Sequence, residues 1–390
     1  MIYEPAEDSF LIQKEVKRLA KGSVLDMGTG SGILAETALK SKKVKSVLGV
    51  DIKKEAVEHC KKKIKNKKAK FIVSDLFSKV PRQLFDTVIF NAPYLPEQKG
   101  EIWELSTDVA GGKHGYEIIE RFLSAVNEFL ASDGIILLLF STITGKNKVD
   151  SLIEQHMMQS DQLNKLKIAF EQLYVYKITK SRFRKLVEKQ GVSKIKPLSK
   201  GHRGLIYTGK WKNKKVTIKV QRQDIDAKGT VDNEVKQLKI LNKHSIGPKL
   251  LFYGKDYFVY EYVKGDFIRQ YFDKKETKRS DVVAVLCNVF EQMFAMDKLG
   301  LNKEEMHHPV KHIIIGKNNK PVLVDFERCK PKKKVHNVTQ FVQFVISGKL
   351  MHHLERHKLR ISMLDMLNRA RKYSERKTRE NFEEILELLR

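Results

Sequence analysis

Along the first 180 residues, short apolar, β-branched runs alternate with stretches whose apolar positions recur at helical spacing. The runs are Val24 to Asp26, Ser46 to Asp51, Lys70 to Asp75, Phe85 to Asn91 and Gly134 to Phe140. Alternation of this kind predicts an α/β domain built on a doubly wound parallel sheet, with Glu171 to Thr179 as the strand that closes it. Lys180 to Lys200, basic and polar with Gly191 and Pro197, reads as a linker merging into a short helix. From Leu205 the pattern changes to strands packed close in sequence: Gly204 to Lys210, Lys215 to Gln221, Lys249 to Tyr253 and Tyr257 to Tyr262. Helical spacing follows over Asp281 to Leu299, Val338 to Val345, Met363 to Tyr373 and Arg379 to Leu389. The organisation expected is an α/β domain over 1–180 and an α+β domain over 181–390, with no internal repeat.

Charge separates the two halves. Residues 1–180 hold 28 Lys and Arg against 23 Asp and Glu; the remainder holds 47 against 24, so most of the chain's net +28 belongs to the second half. A domain this basic is expected to contact a polyanion such as RNA or the ribosome, and the attraction should weaken with salt. A solvated Lys-rich surface is the plainer reading. The longest apolar stretch, Gly134 to Phe140, is strand-sized, so no membrane contact is expected. The acidic start, Glu4 to Asp8, lacks the apolar core of a signal peptide, and a cytoplasmic location is expected. Three widely spaced cysteines (Cys60, Cys287, Cys329) fit reduced thiols better than a disulfide framework.

The first concentration of candidate chemistry is Val24-Leu25-Asp26-Met27-Gly28-Thr29-Gly30-Ser31-Gly32, a strand running into a glycine-rich turn that opens a helix. Gly28, Gly30 and Gly32 let backbone approach a ligand, and Asp51 ends the next strand, where it can hold a ribose hydroxyl. By itself this leaves NAD and S-adenosylmethionine both open. Asp26 before the turn favours the latter, since it would repel a pyrophosphate but suits a cationic methionine end. Asp75, at the end of the third predicted strand, is in position to reach adenine. The fourth strand ends in Asn91-Ala92-Pro93-Tyr94. Transferring a methyl group to a planar NH2 requires acceptors for its two hydrogens, which the Asn91 side chain and the Ala92 carbonyl offer. Pro93 shapes the pocket and Tyr94 can stack on a flat substrate.

These residues, with Tyr3 to Phe10 and Ala110 to Gly115, resemble the HemK-type protein-glutamine methyltransferases, in particular their short archaeal and eukaryotic branch. The resemblance covers residues 1 to about 180. It implies a class I, Rossmann-like methyltransferase fold and methylation of the glutamine in the Gly-Gly-Gln loop of a translation release factor. It also implies a small zinc-binding activator subunit. The family usually carries Asn-Pro-Pro-Tyr; Ala92 stands at the first proline. Adenine N6 and guanine N2 methyltransferases of RNA or DNA share the tetrapeptide, because they too present NH2 on a flat group, and they remain the alternative.

In the second half, Gly201-His202-Arg203-Gly204 precedes a strand carrying Lys219, and Glu234 follows on a predicted helix. A lysine held by a helix glutamate over phosphates is the pairing that phosphoryl transfer uses. Val259 to Gly265 reads as a strand and hinge, and Pro321 to Glu327 sets Asp325 beside Phe326 at a strand end. Together these resemble atypical kinases of the RIO and lipopolysaccharide-kinase type, over roughly 182–345. The Glu304 to Ile313 stretch is similar to archaeal chains regarded as serine/threonine kinases. The resemblance implies a two-lobed domain binding ATP and Mg2+, with Asp325 as a metal ligand. Counting back from Ile313 puts His307 where the family has its Asp base and His312 where it has a metal-binding Asn. A module that binds ATP without turnover stays open, as does a zinc site from His307, His308 and His312.

Overall fold

The computed structural model describes residues 4–96, 111–200, 204–222 and 230–390. Gly201, and the ends of two motifs at Tyr3 and Ala110, lie outside them. The chain divides into two compact units, Met1–Lys196 and Pro197–Arg390. Among the described residues no helix is long and apolar enough to cross a membrane.

In the first unit the strands are β1 (Gly22–Met27), β2 (Val44–Asp51), β3 (Ala69–Val73), β4 (Phe85–Asn91), β5 (Leu130–Ser141), β6 (Met158–Ile168) and β7 (Glu171–Lys180). Their order across the sheet is β3-β2-β1-β4-β5-β7-β6. The first five run parallel, while β7 is antiparallel to β5 and β6 antiparallel to β7. This is the Rossmann-like class I methyltransferase fold, mixed α/β. Side-chain alternation splits the sheet between two cores. Val24, Ile89 and Leu137 pack with helices α1 (Glu7–Leu19), α2 (Ile33–Leu39) and α3 (Lys54–Lys63). Leu25, Val88 and Leu138 pack with α4 (Glu117–Val126) and α5 (Lys146–Gln155). Chain order reverses between β1 and its neighbours β2 and β4, so a crevice opens at the carboxyl ends of β1 and β4.

Two stretches differ from the sequence reading. Residues 180–200 hold the expected short helix, α6 (Arg182–Lys189), but the rest of the stretch is a strand, β8 (Ser193–Lys200), and not a linker. Ser181 caps α6 by accepting from the Arg184 amide, Phe183 and Val187 are buried, and Glu188 pairs with Lys180 and Arg184, each at 2.8 Å. Strand β6 escaped the reading because most of it faces solvent and carries no apolar alternation.

In the second unit, β8, β9 (Gly204–Trp211), β10 (Lys214–Gln221), β11 (Leu250–Gly254) and β12 (Tyr257–Glu261) make one sheet in the order β11-β12-β10-β9-β8. Helix α7 (Thr230–Asn242) packs on it. A helical part follows: α8 (Ile268–Phe272), α9 (Arg279–Lys298), α10 (Asn337–Val345), α11 (Gly348–Arg356), α12 (Met363–Glu375) and α13 (Arg379–Glu387). Two short ladders complete it: β13 (Asp266–Phe267), β15 (Ile313–Ile315) and β16 (Pro321–Leu323), which pack with α8 and α9, and β14 (Leu301–Lys303) with β17 (Cys329–Pro331), of which β17 packs against α7.

Candidate active site

The crevice of the first unit is built by two turns. After β1, Gly28, Gly30 and Gly32 all take positive φ (66°, 51° and 79°), which lets the chain turn tightly, and a Cβ at Gly28 would meet only the Phe90 ring edge at 3.8 Å. The turn is pinned from both sides. Thr29 Oγ1 donates to Asp26 at 2.7 Å, and the Gly30 amide donates to Asp51 at 2.9 Å. Asp26 is fully buried, and burial, opposed by the Thr29 bond, pushes its pKa up to about 7. Asp75 lies two residues past the end of β3 rather than on it, exposed and paired with Arg121 at 2.7 Å.

The second turn follows β4. Asn91 Nδ2 donates to Asp8 Oδ2 at 3.0 Å and reaches Ser9 Oγ at 3.5 Å. Asn91 Oδ1 is buried and, among the described residues, has no hydrogen-bond partner. Ala92, next in the chain, is buried. The loop at Gly111–Gly115 presses directly on this backbone: a Cβ at Gly111 would meet the Pro93 carbonyl at 2.6 Å and one at Gly115 the Tyr94 carbonyl at 2.5 Å. Only glycine fits at both. Thr144 Oγ1 donates to the Tyr94 carbonyl at 3.3 Å. The Tyr94 phenol is half-buried, and its pKa is raised by burial and then by the carboxylates of Glu171, Asp8 and Glu7. Asp8 is the residue the sequence missed; nothing in local pattern links position 8 to position 91.

A buried, unpartnered carbonyl oxygen beside an open glycine turn, with an acid ending the adjacent strand, suits S-adenosylmethionine and an NH2 acceptor. The Methyltransferase small domain family matches residues 7–170. A putative protein N5-glutamine methyltransferase of Methanocaldococcus jannaschii is 35% identical over 178 residues, covering 45% of this chain and 89% of that protein. The chain belongs to the HemK-like protein-glutamine methyltransferases. Human methyltransferase HEMK2 is 26% identical over 199 residues, covering 46% of this chain and 90% of that one. A release factor glutamine methyltransferase of Koribacter versatilis is 34% identical over 131 residues, but the chain spans only 47% of its length. Among solved structures, the E. cuniculi Mtq2–Trm112 complex, described as methylating the termination factor eRF1, is 27% identical over 46% of this chain and 99% of that one, with a TM-score of 0.38. The glutamine methyltransferase resemblance thus accounts for the first unit, whose family uses S-adenosylmethionine.

The second unit holds a separate cavity of about 240 Å³ lined by Gly204, Lys219, Lys303, Glu305, His312 and Asp325, with Glu327 at its side. Lys219 Nζ lies 2.6 Å from Glu234 and 3.1 Å from Asp325. Burial works against the Lys219 ammonium, but Glu234 and Asp325 outweigh it and hold its pKa above the ordinary lysine value. Glu234 also accepts from the Phe326 amide at 3.0 Å. Burial opposes the Asp325 charge, yet Lys219 and Lys303 draw its pKa down to about 2. Lys303, buried, donates to the Asp325 carbonyl. His312 Nε2 is 3.6 Å from Glu305 and its Nδ1 is 4.0 Å from Asp325.

His307 is exposed and does not line this cavity. Glu305 does, so the five-residue spacing behind the His307 assignment fails in a loop that turns at Glu305, whose φ is +75°. Among the described residues no three of His, Cys, Asp and Glu are grouped to hold a metal, which leaves the zinc reading of His307, His308 and His312 without support.

Proposed function

We propose that the chain N5-methylates the glutamine of a Gly-Gly-Gln loop in a translation release factor. The observation carrying this is Asn91 Oδ1 at the end of β4, buried and without a hydrogen-bond partner among the described residues while its Nδ2 is engaged by Asp8. Asp26, Gly28, Gly30, Gly32, Asp51 and Asp75 are the residues proposed to hold S-adenosylmethionine. Bound there, it would supply a sulfonium methyl group for transfer to the acceptor nitrogen. Asn91 orients the amide, Pro93 rigidifies the turn, and Tyr94 walls the pocket. No strong base is required, because positioning carries most of the rate.

A protein acceptor is favoured over adenine or guanine in RNA or DNA by the carboxylates of Glu171, Asp8 and Glu7 around Tyr94, which would repel a phosphodiester. Labelled methyl from S-adenosylmethionine, offered to release factor and RNA together, is expected in the protein; label in the RNA would overturn the reading. The resemblance also brings in a small zinc-binding activator, which belongs in a separate arm of that assay. A release factor substrate would be met in the cytoplasm, and the basic second half supports contact with ribosomal RNA.

The charge on Asp26 gives a further expectation. A group whose carboxyl is raised to about 7 is largely protonated at pH 6, and a cationic ligand placed against it favours the anion. Binding of S-adenosylmethionine at pH 6 should therefore release close to one proton, seen as a calorimetric enthalpy that changes with the buffer's ionisation heat. The release from Asp26 should shrink as pH rises through about 7.

For the second unit we propose ATP binding in a kinase-like cleft, favoured by the 2.6 Å Lys219–Glu234 pair. Gly204 lies against the Lys219 stem, with Gly201 beside it in sequence. Asp325 and His312 are proposed to hold a Mg2+ that arrives with phosphate oxygens, since one or two protein carboxylates suffice for such a cation. Glu305 lines this cleft, whereas His307 is exposed and does not. Lys219→Ala should raise the Kd for ATP at least about tenfold, and Glu305→Gln should lower any ATP turnover that His307→Ala leaves intact. ATP stabilising the protein without any phosphate transfer would support a non-catalytic scaffold instead.

A further inference from the structure

The first turn of α1 does more than begin the fold. Asp8 is only 6% exposed, and its Oδ1 accepts from the Ser9 amide at 2.5 Å while Oδ2 accepts from Asn91 Nδ2 at 3.0 Å. A carboxylate is tolerated there because it sits at a helix N-terminus and is hydrogen-bonded. Leu11, Ile12 and Val16 of the same helix are buried against the sheet, so the carboxylate rides on a fixed element.

That contact decides which way the Asn91 amide points. An amide side chain can rotate by half a turn and exchange its oxygen for its NH2. With the oxygen turned towards Asp8, two acceptors would face each other and Ser9 Oγ would lose its donor. With the NH2 towards Asp8, Oδ1 is left buried and without a hydrogen-bond partner among the described residues, on the residue that ends β4. A pocket presenting a fixed acceptor admits a group that donates N–H and disfavours one that brings only lone pairs, such as a carboxylate.

We propose that Asp8 is a positioning residue for methyl transfer, locking the Asn91 amide so that Oδ1 faces the acceptor and thereby selecting an NH2 group. This rests on the methyltransferase reading above and names the device behind its substrate class.

The test compares Asp8→Ala with Asp8→Asn in the full chain, using a release factor as acceptor. Asp8→Ala should lower kcat about 100-fold, with KM for S-adenosylmethionine and the thermal midpoint near wild type. Asp8→Asn, whose side-chain oxygen can still accept from Asn91 Nδ2, should recover most of that loss. Unchanged kcat in Asp8→Ala, or Asp8→Asn as impaired as Asp8→Ala, would overturn the proposal. If the wild-type chain methylates no protein, the substrate reading fails separately. The Asp8 role is then read from the Asn91 side-chain NH2 resonances, which Asp8→Asn should retain and Asp8→Ala should shift; resonances indifferent to both would overturn it.

Discussion

Replacing Asn91 with alanine should cut kcat for methyl transfer by about 10³-fold while affinity for S-adenosylhomocysteine stays within about twofold. The split follows from where the side chain sits. Its NH2 is engaged with Asp8, and its oxygen is buried with no hydrogen-bond partner among the described residues, so no contact that holds the glycine turn depends on it. The turn is held instead by Asp26 through Thr29 and by Asp51 through Gly30. Losing Oδ1 removes an acceptor for the reacting NH2 and lets its nitrogen lone pair swing away from the methyl group. Steady-state kinetics with calorimetry on the same preparations checks this. A parallel loss of cofactor affinity would mean that Asn91 shapes the cofactor pocket rather than the acceptor.

The second large effect belongs to the other unit. Glu234→Ala should destabilise the second unit by about 3–5 kcal/mol, because it strips a buried partner from Lys219 and leaves the Phe326 amide without its acceptor. For a unit of this size that corresponds to a fall in its melting midpoint of roughly 10 °C. Glu234→Gln keeps an acceptor for the amide and should recover part of the loss. Calorimetric scanning resolves the outcome, since each unit has its own core and the first unit's transition should not move. Equal midpoints for wild type and Glu234→Ala would show that Asp325 and Glu327, also within 4 Å of Lys219, carry the pairing without it.

Much of the first unit was legible because its strands are buried on both faces and read as continuous apolar runs; β1, β2, β4 and β5 all contain the predicted segments. The same physics hid β6, whose solvent-facing residues carry no pattern, and β8, which lay in a basic, polar stretch read as linker and short helix. Glycine turn and Asn91 tetrapeptide were readable as local chemistry. The Asp8–Asn91 contact was not, because it joins residues 83 positions apart through the packing of α1 on the sheet. In the second unit, Lys219 and Glu234 meet as their spacing suggested, whereas a fixed count across an irregular loop selected exposed His307 over Glu305, which lines the cavity.

The most direct test of the central claim is to map the transferred methyl by tandem mass spectrometry after incubating the chain with S-adenosylmethionine and a release factor, with the factor's Gly-Gly-Gln glutamine replaced by alanine as control. The account predicts one methyl on the side-chain nitrogen of that glutamine, absent from the replaced factor and from Asn91→Ala enzyme. A methyl on any other residue, or one that persists without that glutamine, would contradict it.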